Sequence, residues 1–215
     1  MRIYCISDTH IGFEHSNYKA IARLLKNARK DADRLILCGD IIDLWRCPLP
    51  KIKEDPLYSE AYFDLLNTVK EVPSIYIRGN HDIYIRKTDL PFLIVDKMLE
   101  DGIYYTHGWE FDLMQRLGSP LYYWLVTRFP YLYQRFFRTP SQIRTEEDPY
   151  NRLVGAIHAE ARIFAEKKGY DRVVIGHTHQ PFMGDHIVYD CGDLIDSLSY
   201  LTIEDGVPAL HKMRR

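Results

Sequence analysis

Short apolar runs that end abruptly in polar clusters recur along this chain, and they constrain its fold more than any other feature. RIYCI (2–6) runs into SDTH, RLILC (34–38) into GDIID, SIYI (74–77) into RGNHD, and RVVI (172–175) into GHTHQP. Each reads as a buried strand with a loop at its carboxyl end. Between the first two runs, Ile21, Leu24, Leu25 and Ala28 follow the i, i+3, i+4, i+7 pattern of a helix. Between the second and third, Tyr58, Tyr62, Leu65, Leu66 and Val69 do the same. Such strand–helix–strand alternation predicts an α/β fold with parallel pairing, whose ligands gather beyond the strands' carboxyl ends. All four polar clusters fall on that edge.

The remaining elements are less regular. Residues 92–106 read as a hairpin turning at Asp101-Gly102 and delivering YYTHG (104–108). SLSYLTIEDGVPALHKM reads as a second hairpin around Asp205-Gly206, and Val154, Ile157, Ala161 and Phe164 support a helix over roughly 150–168. With 215 residues, 46% hydrophobic and 27% charged, the chain suits one domain over 1–215 with its own core. A net charge of −2 argues against a surface built wholly for nucleic acid, so no nucleic-acid partner is expected.

Residues 111–140, FDLMQRLGSPLYYWLVTRFPYLYQRFFRTP, stand apart: nine aromatics and four Arg accompany a single Asp. Pro120, Pro130 and Pro140 would divide the stretch into short helices. It reads as a helical insertion, either packing its aromatics on the main core or forming a lid-like cover. As a cover it would meet an apolar ligand, the membrane surface or a partner protein, with Trp124, Arg128 and Arg135 as the substrate-contacting residues.

The side chains with chemistry to offer are Asp8, His10, Asp40, Asn80, His107, His177 and His179. Asp8/His10 and His177/His179 share an i, i+2 spacing, which on an extended segment turns both side chains toward one point. Carboxylate, imidazole and amide together suit Mn, Fe, Co or Zn, and the lack of thiolate disfavours a structural zinc site. Seven ligands exceed what one transition metal takes and fit two ions sharing a carboxylate. Two metals roughly 3.5–4 Å apart clamp a phosphoryl group and generate hydroxide near neutral pH.

Taken in order, D-x-H (8–10), G-D-x-x-D (39–43), G-N-H-D (79–82), H-G (107–108) and G-H-x-H (176–179) resemble the calcineurin-like metallophosphoesterase superfamily. The resemblance implies a four-layer αββα sandwich with a dinuclear centre, Mn being the first choice of metal. It implies that Asp8, His10, Asp40 and His179 hold one ion, and that Asp40 (bridging), Asn80, His107 and His177 hold the other. It further implies that His81 faces the phosphate as a proton donor or charge stabiliser, oriented by Asp82. Asp43 is read as a carboxylate behind a ligating His or at a helix start.

GDIIDLW, HGWEFD, YDRVVIGHTHQP and DCGDLID are also similar to the branch containing UDP-2,3-diacylglucosamine pyrophosphatases of lipid A synthesis. In that branch an insertion at the place of 111–140 covers acyl chains. Two positions depart from it: His81 stands where those enzymes carry Arg, and Trp109 where Asp usually follows H-G.

The resemblance thus implies hydrolysis of a phosphoester or of a nucleotide- or lipid-linked pyrophosphate, with metal-bound hydroxide attacking phosphorus in line. A general phosphodiesterase or phosphatase is the alternative. A nuclease fits less well, because the insertion is aromatic rather than broadly basic. A non-catalytic scaffold would leave gaps in a ligand set that is complete here. Unpaired Cys5, Cys38, Cys47 and Cys191, and an N-terminus that meets Asp8 too early for a signal segment, lead to the expectation of a cytoplasmic protein. Peripheral contact with the membrane through 111–140 fits the same picture.

Overall fold

The computed structural model describes residues 1–86, 90, 93–113, 128, 147–184 and 186–214. Strands β1 (Arg2–Ile6), β2 (Arg34–Cys38), β3 (Ser74–Ile77) and β4 (Leu93–Val95) pair in parallel. Strands β10 (Ser199–Glu204) and β11 (Val207–Lys212) extend this sheet antiparallel on the far side of β1. The second sheet runs in the order β5 (Lys97–Glu100), β6 (Ile103–Thr106), β7 (Arg172–Ile175), β9 (Val188–Asp190), β8 (Phe182–Met183). Its central three strands are parallel.

Strand alternation explains the layering. Tyr4, Ile6, Leu35, Leu37 and Tyr76 face one way and pack under helix α1 (Tyr18–Asp31) and helix α3 (Pro56–Glu71), which follows the short α2 (Leu49–Glu54). Ile3, Cys5, Ile36, Cys38, Ile75 and Ile77 face the other way, onto Ile103, Tyr105, Val174 and Tyr189 of the second sheet. Tyr104, Val173, Ile175 and Val188 then turn outward onto Ile157, Ala161 and Ala165 of helix α4 (Glu147–Lys168). Strands buried on both faces read as continuous apolar runs, which is why their side chains carry no polar alternation. The result is the four-layer αββα arrangement.

The helix starts are set locally. Asn17 accepts the Ala20 N–H at 3.0 Å, and Asp55 accepts the Leu57 N–H at 3.0 Å with Pro56 just behind it. Both hairpin turns place Asp and Gly in the left-handed region, at φ +48° and +75° for Asp101-Gly102 and +49° and +80° for Asp205-Gly206.

The expectation for 92–106 needs correction. The hairpin is confined to β5 and β6, whereas Leu93–Val95 pairs in parallel with β3 in the other sheet. Ile94 fills the core beneath the first layer of helices, so the chain changes sheet at Asp96. Of the insertion, Phe111 is buried at the end of a 3₁₀ turn (Trp109–Phe111) and Arg128 is helical and exposed. Trp124 and Arg135 lie outside the described residues.

Candidate metal centre

Five loops meet at the carboxyl edge of the two sheets: those after β1, β2 and β3 in the first and after β6 and β7 in the second. Backbone bonds lock the loops together beyond the strands. The Asp8 N–H reaches Gly39 C=O at 3.1 Å, His10 N–H reaches Asp40 C=O at 3.0 Å, and Gly176 N–H reaches His107 C=O at 2.9 Å. Asp8, His10, Asp40, His177 and His179 all sit at positive φ, between +47° and +69°. The i, i+2 pairs therefore converge through left-handed kinks and not through the extended backbone that the spacing predicts. Positive φ is uncommon outside glycine, and its concentration here marks a functional constraint.

Glycine makes the convergence possible at two positions. A Cβ at Gly79 would lie 2.5 Å from the backbone nitrogen of Asp40 and 2.8 Å from its Cγ. One at Gly176 would lie 2.5 Å from Asp8 Oδ2.

Ligand atoms of Asp8, His10 and His179 all lie within 4.8 Å of one another, as do those of Asp8, Asp40 and His107, and those of His10, Asp40 and His81. His179 Nε2 is 3.3 Å from Asp8 Oδ1, and His107 Nε2 is 3.3 Å from Asp40 Oδ2 and 3.1 Å from Asn80 Oδ1. Asp8, His10 and Asp40 thus each belong to two of the three groups. His177 lies beside them, its ring 5.2 Å from that of His107.

Each imidazole of the expected ligand set has one nitrogen engaged from behind. His10 Nδ1 meets Asp43 Oδ2 at 3.0 Å, His107 Nδ1 meets the Cys38 carbonyl at 2.8 Å, and His179 Nδ1 meets Asp193 Oδ2 at 2.9 Å. His177 uses Nε2, on Asp112 Oδ2 at 3.2 Å. Such outer contacts fix the tautomer and leave the other nitrogen to ligate. Asp193 and Asp112 were missed from the sequence. A signal for Asp193 existed: IVYD (187–190) running into CGD is one more apolar run ending in a polar cluster.

His81 is held differently. Its ring stacks on Trp45 at 4.1 Å and meets His10 edge-on at 4.7 Å, while its Nδ1 lies 3.1 Å from Asp43 Oδ1. Asp43 therefore grips His10 with one oxygen and His81 with the other, and Arg46 pairs with the same carboxylate. Asp82, expected to orient His81, acts on the backbone beside it and not on its ring. Its carboxylate accepts the Ile41 N–H (2.9 Å), the Tyr76 hydroxyl (2.5 Å) and the Gly79 N–H (2.6 Å), so it pins the loop on which His81 rides. Among the described residues Asp43, not Asp82, is the carboxylate on the His81 ring.

The electrostatics favour a cation. Burial works against the charges of Asp8 and Asp40, yet the neighbouring imidazoles hold both carboxyls below their ordinary range. Burial also works against protonated His10 and His107. The bond of His10 to Asp43 with the charges of the carboxylates around it, and the charges of Asp40 and Asp8 on His107, prevail and push each pKa up to about 10. The carboxylates thus recruit protons where positive charge is wanted. For His81 burial prevails and its pKa is lowered, while burial and the Asp40 charge push Asp82 up to about 7.

Two atoms test whether metal fits. Asp8 Oδ1 and His10 Nε2 are buried with no hydrogen-bond partner, an arrangement that costs roughly 1–3 kcal/mol per group unless something supplies the missing interaction. Both are ligand atoms pointing into one focus 3.6 Å across. The donor set of carboxylate oxygen and imidazole nitrogen fits a borderline divalent ion.

An αββα sandwich whose five carboxyl-edge loops present Asp, His and Asn to one buried focus is the framework of a metal-dependent phosphoesterase. The chain belongs to the calcineurin-like phosphoesterase family, whose model matches residues 1–181. It is 23% identical to a UDP-2,3-diacylglucosamine hydrolase of Aliivibrio fischeri (strain MJ11), over 99% of this chain and 98% of that protein. A metallophosphoesterase from Sphaerobacter thermophilus shares the fold at a TM-score of 0.50, with 18% identity, covering 100% of this chain and 89% of the other. The nuclease MPE of Pseudomonas putida matches 49% of this chain and only 53% of its own length, with 22% identity and a TM-score of 0.38.

Proposed function

We propose that this phosphoesterase works with two divalent ions, Mn first among them, on a phosphodiester or pyrophosphate. Asp8, His10 and His179 would hold one ion, Asn80, His107 and His177 the other, and Asp40 would bridge them. The observation that carries the reading is the pair of buried, partnerless atoms, Asp8 Oδ1 and His10 Nε2, at the focus of the loops. When bound, the ions supply positive charge for the phosphoryl oxygens and acidify the attacking water. The chain's own residues do the rest. Asp43 fixes the tautomers of His10 and His81 through their Nδ1 atoms, and Trp45 holds the His81 ring from its face. His81 Nε2, 3.9 Å from Asp40 Oδ2, is then the atom that, once protonated, would give its proton to the leaving oxygen. Asp82 acts by fixing the backbone at Gly79 and Ile41.

A substrate class is suggested by the full-length relative in Aliivibrio fischeri, which is named a UDP-2,3-diacylglucosamine hydrolase. A nucleotide- or lipid-linked pyrophosphate of that kind is the leading candidate, handled in the cytoplasm at the membrane surface. The stretch 111–140 is read as the insertion whose aromatics and Trp124, Arg128 and Arg135 meet the substrate. His81, standing where the lipid A enzymes carry Arg, favours a second reading as a more general phosphodiesterase. Bis-nitrophenyl phosphate, nitrophenyl phosphate and UDP-2,3-diacylglucosamine assayed side by side with Mn²⁺ separate the two. Turnover of the UDP-lipid supports the first reading, turnover of the diester without it supports the second, and turnover of the monoester alone refutes the first and makes the second a phosphatase.

A further inference from the structure

Behind the Gly176–His177–Thr178–His179 loop lies a buried polar chain that begins on a helix outside every sequence motif. His158, on the buried face of α4, places Nε2 3.0 Å from Asp190 Oδ2, and its ring stacks on Phe182 at 4.5 Å. Asp190 closes β9 and is fully buried. Its same Oδ2 accepts the Thr178 hydroxyl at 2.6 Å, while Oδ1 accepts the Gly192 N–H at 2.9 Å. Thr178 stands between the two histidines of the centre, and Gly192 precedes Asp193, the carboxylate on His179.

A carboxylate sealed from water is stabilised by each donor it holds, and without His158 Oδ2 would keep the Thr178 hydroxyl alone. Thr178 and Gly192 are local donors, belonging to the loops that Asp190 fixes. His158 comes from a different layer of the sandwich. The loop it steadies is under strain, with His177 and His179 at φ +69° and +56°, a backbone that persists only where its surroundings over-determine it.

We propose that His158 is a positioning residue for the metal centre, acting through Asp190 and Thr178 to hold His177 and His179 in ligating geometry. The inference rests on the metal-centre reading above. Contacts of this kind behind metal ligands typically govern affinity by 10–100-fold, and one bond further back the effect falls at about tenfold.

The test is Mn²⁺ affinity, measured on the purified full chain by competition with a chromophoric chelator, for wild type, His158→Leu, His158→Gln and Thr178→Val. The Leu variant is expected to bind Mn²⁺ about tenfold more weakly, and the Gln variant, which keeps an N–H near the Nε2 position, to recover the affinity. Thr178→Val keeps shape and loses only the hydroxyl, so it should weaken Mn²⁺ in the same direction. It carries the test if His158→Leu does not fold. Wild-type affinity in His158→Leu, or in Thr178→Val should the former fail to fold, overturns the proposal, as does a lowered melting temperature with unchanged Mn²⁺ affinity. A wild-type chain that takes up no Mn²⁺ overturns the metal-centre reading and this proposal together, whereas metal-replete wild type with an insensitive His158 overturns this proposal alone.

Discussion

Gly79→Ala is the smallest change that asks whether the centre is built as described. The added Cβ would stand 2.5 Å from the backbone nitrogen of Asp40 and 2.8 Å from its Cγ, and closer still to Oδ1. Ordinary contact begins near 3.4 Å, so the Asp40 backbone or the Gly79 loop must yield by about 0.9 Å. Overpacking of this kind costs about 1–3 kcal/mol. Asp40 Oδ1 also accepts the His81 N–H at 2.8 Å, and losing a hydrogen bond to a charged acceptor adds about 1.5–3 kcal/mol. A total near 3–5 kcal/mol corresponds to a fall in melting temperature on the order of 10 °C for a chain of this size. Because Asp40 is the proposed bridge, bound metal should fall with it. Thermal unfolding by circular dichroism and metal counting by mass spectrometry read the two effects. Gly155→Ala is the control: nothing lies within 4 Å of its Cβ position and it sits inside α4, so the substitution should stabilise by about 0.8–1 kcal/mol. A Gly79→Ala protein that melts with wild type and keeps two ions per chain would refute the geometry argued for Asp40.

Three further outcomes bear on the same centre. His81→Ala should lower turnover by roughly 10²–10⁴-fold with metal content unchanged, as for loss of a proton donor, and halved metal content would make His81 a ligand instead. Asp193→Ala removes the contact on His179 Nδ1 and should weaken metal binding by roughly 10–100-fold in a chelator titration; unchanged affinity would mean that His179 is oriented without it. Stripping the metal should lower the melting temperature, because a ligand bound only by the folded state adds stability by mass action, and readdition of Mn²⁺ should restore it in a concentration-dependent way.

What the sequence made legible and what it hid divide along a physical line. Asp8, Asp40, Asn80, His107 and His179 stood out because each lies two to four residues beyond the end of an apolar run, and a polar cluster at a strand's end is a local statement. The buried faces of α1 and α3 were readable from spacing alone, whereas the stacking into four layers was implied only by the family resemblance. Contacts fixed by assembly were not readable. Asp43 reaches His81 across 38 residues of chain and Asp112 reaches His177 across 65, and nothing in either neighbourhood names its partner. The change of sheet at Asp96 was hidden likewise, because an apolar triplet such as Leu93–Val95 looks the same whichever sheet it joins. The i, i+2 pairs are the instructive case. The spacing led to convergent side chains, but through an extended backbone that the structure does not contain. The kinks at Asp8, His10, His177 and His179 arise from ties between loops, such as Asp8 to Gly39, His10 to Asp40 and the His177 N–H to Asp8, that exist only once β1 and β2 pair in one sheet and β7, in the other sheet, packs against them. The centre is therefore a property of the assembled sheet edge, with its strain held in place by contacts from several elements. For that reason the carboxylates and carbonyl behind the histidines belong to its chemistry as much as the ligands do.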